Sequence, residues 1–257
     1  MLAVFNKEVA KCPEELKNKE SLGSGCSLKQ DDLIQHFSSF HPNALSVKLG
    51  DSGFIAFSSD KQNPLLPRLF AVVDDIFCLF HGHIENIASL KQLYGLTKTA
   101  NEVSIIIEAY RSLRDRSSSP ADHALRNIEG KFAFVIYDSS TKGTFISVDD
   151  EGSVPLFWGT DSEDHLVLSD NAEVMLKASG RSFAPFPKGC FFTSTGGLKS
   201  YEHPLRELKA VTWFDSAGQQ CGSTFTVTEE TKKENKNLGI KSAMPRVGSD
   251  ADWSTHI

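Results

Sequence analysis

Two histidines one residue apart, His81 and His83, are the first side chains here whose type and spacing could do chemistry. On an extended strand, positions i and i+2 share a face, so both imidazoles could approach one metal ion. A closed metal site takes three or four ligands, and no third ligand stands at a matching spacing, so no metal site is expected. The five cysteines, Cys12, Cys26, Cys78, Cys190 and Cys221, are scattered and never spaced C-x-x-C. That pattern excludes a zinc ribbon and reads as reduced thiols in an intracellular protein, expected in the cytoplasm and also in the nucleus. A cysteine nucleophile needs an oriented base, and Cys12 and Cys26 lie in a polar stretch without a visible one. The cluster Arg111, Arg114, Asp115 and Arg116 closes a helical pattern, where cations meet the last carbonyls and the negative end of the dipole. No glycine-rich phosphate loop is present, and no cofactor is expected.

These groups must be positioned by a core, and the composition supports one. The chain has 257 residues, 40% hydrophobic and 23% charged, within the ordinary globular range. A net charge of −6 and a pI near 5.8 argue against nucleic acid, whose phosphates need a basic face. No apolar run reaches the roughly 18 residues of a membrane span, and no basic region followed by a hydrophobic one opens the chain. One domain over residues 1–228 is expected. From Glu229 the sequence turns polar and lysine-rich, which predicts a flexible tail over 229–257.

The central stretch runs from Ile128 to Gly159. Phe132, Phe134 and Ile136 alternate with Ala133, Val135 and Tyr137, so both faces of that strand are apolar and need cover on both sides. A turn at Ser139–Gly143 leads to a return strand at Thr144–Val148. A polar corner and a third hairpin strand at Pro155–Trp158 follow. Upstream, Met1–Phe5 reads as a strand. Ser27 with Gln30 has capping-box spacing before a helix whose apolar face is Leu33, Ile34, Phe37 and Phe40, stopped by Pro42. Leu45–Leu49 pairs Gly53–Ser58, and Leu69–Val73 pairs Ile76–Phe80. His81-Gly82-His83 then feeds a helix closed by Gly95. Further helices follow Asn101 or Thr99 and Ser119-Pro120. A strand at Leu166–Ser169, a helix at Ala172–Ala178, and hairpins at Gly196-Gly197 and Ser216–Gln220 complete the pattern. Periodicity alone gives a layered α+β fold.

Glu129-Gly130, Phe132-Ala133-Phe134, Tyr137-Asp138, Asp149, Gly152, Pro155-Leu156-Phe157 and Gly159, with Leu168-Ser169-Asp170 and Phe186-Pro187-Lys188-Gly189 downstream, resemble the glutaminase domain of asparagine synthetases. That domain belongs to the class II glutamine amidotransferases. Tyr94-Gly95-Leu96 and Leu113-Arg114-Asp115-Arg116 resemble more closely still the plant aluminium-induced, stem-specific family with YGL and LRDR motifs. The resemblance implies a four-layer α/β/β/α sandwich of the N-terminal-nucleophile hydrolase type, with two antiparallel sheets and helices outside.

It also implies where a glutaminase site would lie. In those enzymes Met1 is removed and an N-terminal cysteine attacks the amide, its own amine near pKa ~7.7 acting as base. Here Leu2 stands at that position, and leucine has no lone pair. The oxyanion-hole Asn-Gly corresponds to His81-Gly82, and the acid that holds the substrate's amino group falls at Glu102. No arginine stands near Ser46–Asp51, where Lys48 is the sole cation. The expected site is a vestigial pocket of Leu2, His81, Gly82 and Glu102 with no catalytic residue. The expected role is a binding or regulatory module associated with stress or metal response. The alternatives are an amidohydrolase using Cys26 or His81 in the same pocket, and a purely structural homodimeric protein. A second copy of the chain or an unidentified small molecule is the expected partner.

Overall fold

The computed structural model describes residues 1–17, 30–60, 62–115, 121–215 and 217–228. Cys26, Ser27, Arg116, Ser119-Pro120 and the 229–257 tail, all singled out above, lie outside the described residues.

Two six-stranded antiparallel sheets face each other. The first contains β1 (Leu2–Phe5), β2 (Leu45–Lys48), β3 (Gly53–Phe57), β8 (Phe157–Thr160), β9 (Leu166–Ser169) and β10 (Phe183–Pro185), in the order β10-β8-β9-β1-β3-β2. The second contains β4 (Arg68–Val73), β5 (Ile76–Ile84), β6 (Gly130–Asp138), β7 (Gly143–Val148), β11 (Cys190–Thr193) and β12 (Gly197–Ser200), in the order β12-β11-β7-β6-β5-β4. A hairpin of β13 (Leu208–Phe214) and β14 (Gln220–Val227) stands beside them.

Strand alternation sorts the apolar residues into three layers. Met1, Ala3, Phe5, Leu79, Ala133, Val135 and Tyr137 fill the space between the sheets. There Phe5 stacks on Tyr137 and Phe57 on Phe70, and Tyr137 reaches Ser52 across the gap with a 2.7 Å hydroxyl hydrogen bond. Leu2 and Val4 point the other way, into a layer with α1 (Gln30–Phe40) and α5 (Ala172–Ser179). Cys78, Phe80, Phe132, Phe134 and Ile136 pack under α2 (Ile87–Leu93), α3 (Glu102–Asp115) and α4 (Ala121–Arg126). The order helices, sheet, sheet, helices is the four-layer α+β sandwich that the resemblance implies. Each fully buried aliphatic or aromatic side chain contributes about 1.5–3 kcal/mol to holding these layers together.

Three local expectations change. His81-Gly82-His83 does not leave the hairpin: β5 continues to Ile84, with His81 opposite Ala133 and Gly82 opposite Phe132. A histidine-glycine run resembles a turn in one dimension, but Gly82 at φ 132° lets the strand press against the Lys131 carbonyl, where a Cβ would collide. The third strand does not form a hairpin with β7. It is β8, in the other sheet, between β9 and β10. The buried Asp149 carboxylate makes that crossover by accepting the N–H groups of Phe132, Glu151 and Ser153 at 2.9–3.0 Å. Phe40 is 54% exposed rather than buried, because Leu33 and Phe37 already complete the inward stripe of α1.

The described residues of both motifs make local structural contacts. Tyr94-Gly95-Leu96 closes α2 as a Schellman cap: Leu96 N–H donates to Lys91 O at 2.8 Å and Gly95 N–H to Gln92 O at 3.3 Å. Gly95 sits at φ 65° with open space around it, so the requirement there is conformational rather than steric. Gly95→Ala is expected to destabilise the fold by roughly 1–2 kcal/mol, the cost of a left-handed non-glycine residue; an unchanged denaturation midpoint would contradict it. In the LRDR run, Arg114 bridges Asp115 and the buried Asp138; upstream of it, Arg111 pairs with Asp74 and Glu108. Burial alone would raise the Asp138 carboxyl, but hydrogen bonds from Ser140, Arg114 and Tyr110 bring it down to about 2. The run ties α3 to the β6–β7 turn.

Candidate functional site

Four groups converge where the two sheets open near the start of β1. Because β1 lies between β3 and β9, with Leu2 opposite Ala56 and Ser169, the Met1 amine comes to rest beside the residue that follows β9. That residue is Asp170, whose Oδ1 lies 2.6 Å from the amine. The Met1 carbonyl accepts the Ser169 hydroxyl at 2.9 Å, so this hydroxyl is committed. From the facing sheet, the pairing of β4 with β5 sets Arg68 opposite His81. Arg68 Nε donates to Asp170 Oδ2 at 2.5 Å, and His81 Nδ1 lies 3.5 Å from that oxygen. The last distance exceeds an ordinary hydrogen bond, and Nδ1 has no hydrogen-bond partner among the described residues.

One buried carboxylate therefore serves two cations. Burial works against the Asp170 charge, but the Met1 ammonium and Arg68 outweigh it and hold the carboxyl below its usual range. Burial pushes the Met1 amine down, and the Asp170 charge only partly restores it. Burial likewise pushes His81 down to about 4 against the pull of Asp170, so the imidazole is neutral at pH 7. A folded value below the unfolded one means that the unfolded chain takes up this proton first as the pH falls. Stability is lost from about pH 6.5 down to about pH 4. At about pH 4.5 the His81 contribution amounts to ~2–3 kcal/mol. Urea midpoints for the wild type and His81→Gln should draw together between pH 7 and 4.5, and a constant difference would contradict this assignment.

The residues implied by the resemblance do not form one pocket. Leu2 is completely buried and packs among Val4, Leu33, Phe37, Phe54 and Met175, on the face of its sheet turned away from Asp170 and His81. The Gly82 N–H, which the resemblance implies as an oxyanion-hole donor, is taken by Pro67 O at 3.0 Å. Glu102 opens α3 and meets His83 Nδ1 at 3.2 Å. His83 is half exposed, so the H-x-H pair divides between an inner cluster and an outer ion pair. Lys48 joins Asp31 at the surface.

Two members of the cluster carried no role in the sequence reading: Asp170, which ends a matched segment, and Arg68. Each charge directly abuts an apolar strand, Leu166–Ser169 or Leu69–Val73. That adjacency was the available signal, though nothing one-dimensional joins the two. Among the described residues the thiols offer no nucleophile here. Cys12 donates to Gly159 O at 3.6 Å. Burial raises the pKa of Cys12, Cys78 and Cys221 and pushes Cys190 up to about 12, against the thiolate that reactivity needs. Among the described residues no group of three or more His, Cys, Asp or Glu could hold a metal ion, and no helix is long and apolar enough to cross a membrane.

Residues 2–227 match the family described as aluminium induced protein, and the chain belongs to that family. It is 36% identical over 151 residues to stem-specific protein TSJT1 of Nicotiana tabacum, covering 57% of this chain and 99% of the tobacco protein. It is 27% identical over 139 residues to the glutamine-hydrolyzing asparagine synthetase B of Escherichia coli, covering 52% of this chain but 22% of the synthetase. Among solved structures it resembles glutamine phosphoribosylpyrophosphate amidotransferase from B. subtilis, with a TM-score of 0.42 at 19% identity over 58% of this chain and 34% of that one. It also resembles a glutamine aminotransferase class-II domain protein from Silicibacter pomeroyi, with a TM-score of 0.37 at 7% identity over 57% of this chain and 72% of that one.

Proposed function

We propose that this chain is a glutaminase-like domain that has lost hydrolysis and works as a binding or regulatory module, associated with stress or metal response. One observation carries the reading: the position matching the nucleophile is Leu2, fully enclosed by apolar side chains. Three further features support it. The Met1 amine is ion-paired to Asp170, the Gly82 N–H is committed to Pro67, and Glu102 is turned toward His83. With Leu2 enclosed there is no room at position 2 for glutamine, so the module acts through its outer surface, in the cytoplasm and also in the nucleus. The apolar packing also favours a second reading, a structural protein that pairs with another copy of itself.

The purified native chain should retain Met1 by intact mass and release no ammonia from glutamine above the buffer rate, with an active glutaminase as control. Ammonia release that stops on His81→Ala would instead make the site an altered hydrolase. Sedimentation at micromolar concentration separates a self-pairing protein from a monomeric module.

A further inference from the structure

Among the described residues the two six-stranded sheets end in four edge strands. Three carry a residue that discourages pairing with a further strand: Lys48 in β2, Pro185 in β10 and Lys199 in β12. The fourth, β4, reads Arg68-Leu69-Phe70-Ala71-Val72-Val73. Its single charge, Arg68, turns inward to Asp170. β4 also keeps backbone groups that meet no strand. Pro67 O accepts the Gly82 N–H of β5 at 3.0 Å, whereas the Arg68 N–H points the other way, to Gln62 at 2.9 Å. Antiparallel pairing alternates these directions along the strand. The N–H and C=O groups of Phe70 and Val72 therefore face away from β5, where no described strand lies.

The sheets cross obliquely at this edge. Phe57 of β3 stacks on Phe70 of β4, yet Ser52, just before β3, meets Tyr137 of β6. β2 lies outside β3 with Leu45 beside Phe57, so its Leu45 end overhangs β4. Farther along β4, where Val72 stands level with Phe77 and Tyr137, β2 draws back. Leu45 is accordingly 51% exposed and Val72 45% exposed, although both sit on the faces turned toward the space between the sheets.

We propose that β4 pairs antiparallel with β4 of a second copy of this chain, across a two-fold axis at Ala71. This rests on the self-pairing reading above and names its surface. Antiparallel pairing reverses the strand, so the overhang of each copy falls over the recess of the other. Phe70 and Val72 exchange their outward N–H and C=O groups with Val72 and Phe70 of the second copy, and Leu45 covers the second copy's Val72. Alanine at the axis suits the close approach of a non-hydrogen-bonded pair, about 4.5 Å between Cα atoms. A two-fold contact uses both edges at once, so the assembly closes as a dimer rather than growing into a fibre. The pairing holds whether or not the domain hydrolyses glutamine.

The test uses the untagged full chain with p-benzoylphenylalanine in place of Val72. Ordinary and heavy-isotope-labelled copies are mixed, irradiated and mapped by mass spectrometry. Cross-links joining a light chain to a heavy one at peptides covering 45–48 or 69–73 are expected. In sedimentation the wild type should dimerise, and Leu45→Lys should weaken the dimer about tenfold, equivalent to ~1.4 kcal/mol. Adding Val72→Glu should restore it, because these two side chains meet only between copies. Both positions are half exposed, and a melting curve checks that each variant is folded. A wild type that stays monomeric at every accessible concentration would overturn this pairing and the self-pairing reading together. A dimer whose cross-links fall on another face, or that ignores both substitutions, would overturn this surface and leave self-pairing standing.

Discussion

Asp170→Ala is expected to lower the melting temperature by about 6–20 °C. Asp170 faces two cations, the buried Met1 amine at 2.6 Å and the partly buried Arg68 at 2.5 Å. Removing one partner from a buried pair costs about 3–5 kcal/mol, because the remaining charge stays desolvated. A kilocalorie moves the midpoint of a domain this size by ~2–4 °C. The amine can shed its proton, which limits the penalty, whereas Arg68 cannot. Arg68→Met alone should cost less, since Met1 still neutralises Asp170. A double-mutant cycle should therefore show strong coupling between positions 68 and 170. A midpoint within about 2 °C of wild type for Asp170→Ala would mean that this cluster is not buried in solution. Acetylating or extending the amine should act in the same direction, which makes N-terminal tags a poor choice for this protein.

Leu2→Cys has the second large effect, and its outcome differs from what the sequence alone suggests. Read in one dimension, a small residue at position 2 permits removal of Met1, so a thiol and an amine appear together and the thiol should label readily. In the structure, position 2 is completely buried and faces α1 and α5, opposite the side where His81 lies. The thiol should therefore label slowly in the folded protein and rapidly after denaturation. Loss of most of the leucine side chain costs about 2 kcal/mol, the low end for large-to-small core changes. Loss of Met1 draws the new amine back by about 3.3 Å along the strand, away from Asp170. With the Gly82 N–H also engaged, and one missing oxyanion donor worth roughly 10²–10³ in rate, ammonia release should stay at background. Robust turnover by this single variant would show an intact site and overturn the reading of a degenerate one.

By itself the sequence determined which segments are strands or helices, because alternation and three-to-four spacing are local properties set by backbone geometry. The two-sided apolar pattern of β6 demanded a covered sheet, and position 2 was legible as a leucine where the resemblance implies a cysteine. Glycine in Tyr94-Gly95-Leu96 marked a helix end for a reason internal to the backbone. Tertiary structure alone decided what meets what. β8 joins the far sheet because the Asp149 carboxylate captures three N–H groups and turns the chain across. Leu2 faces the helices rather than the space between the sheets because the register of β1 between β3 and β9 assigns its face. Arg68 and Asp170, 102 residues apart, share one ion-pair network because the two sheets stack with those strand ends together. Which charges become partners depends on sheet order and stacking, which are long-range outcomes of packing that no local pattern of residues encodes.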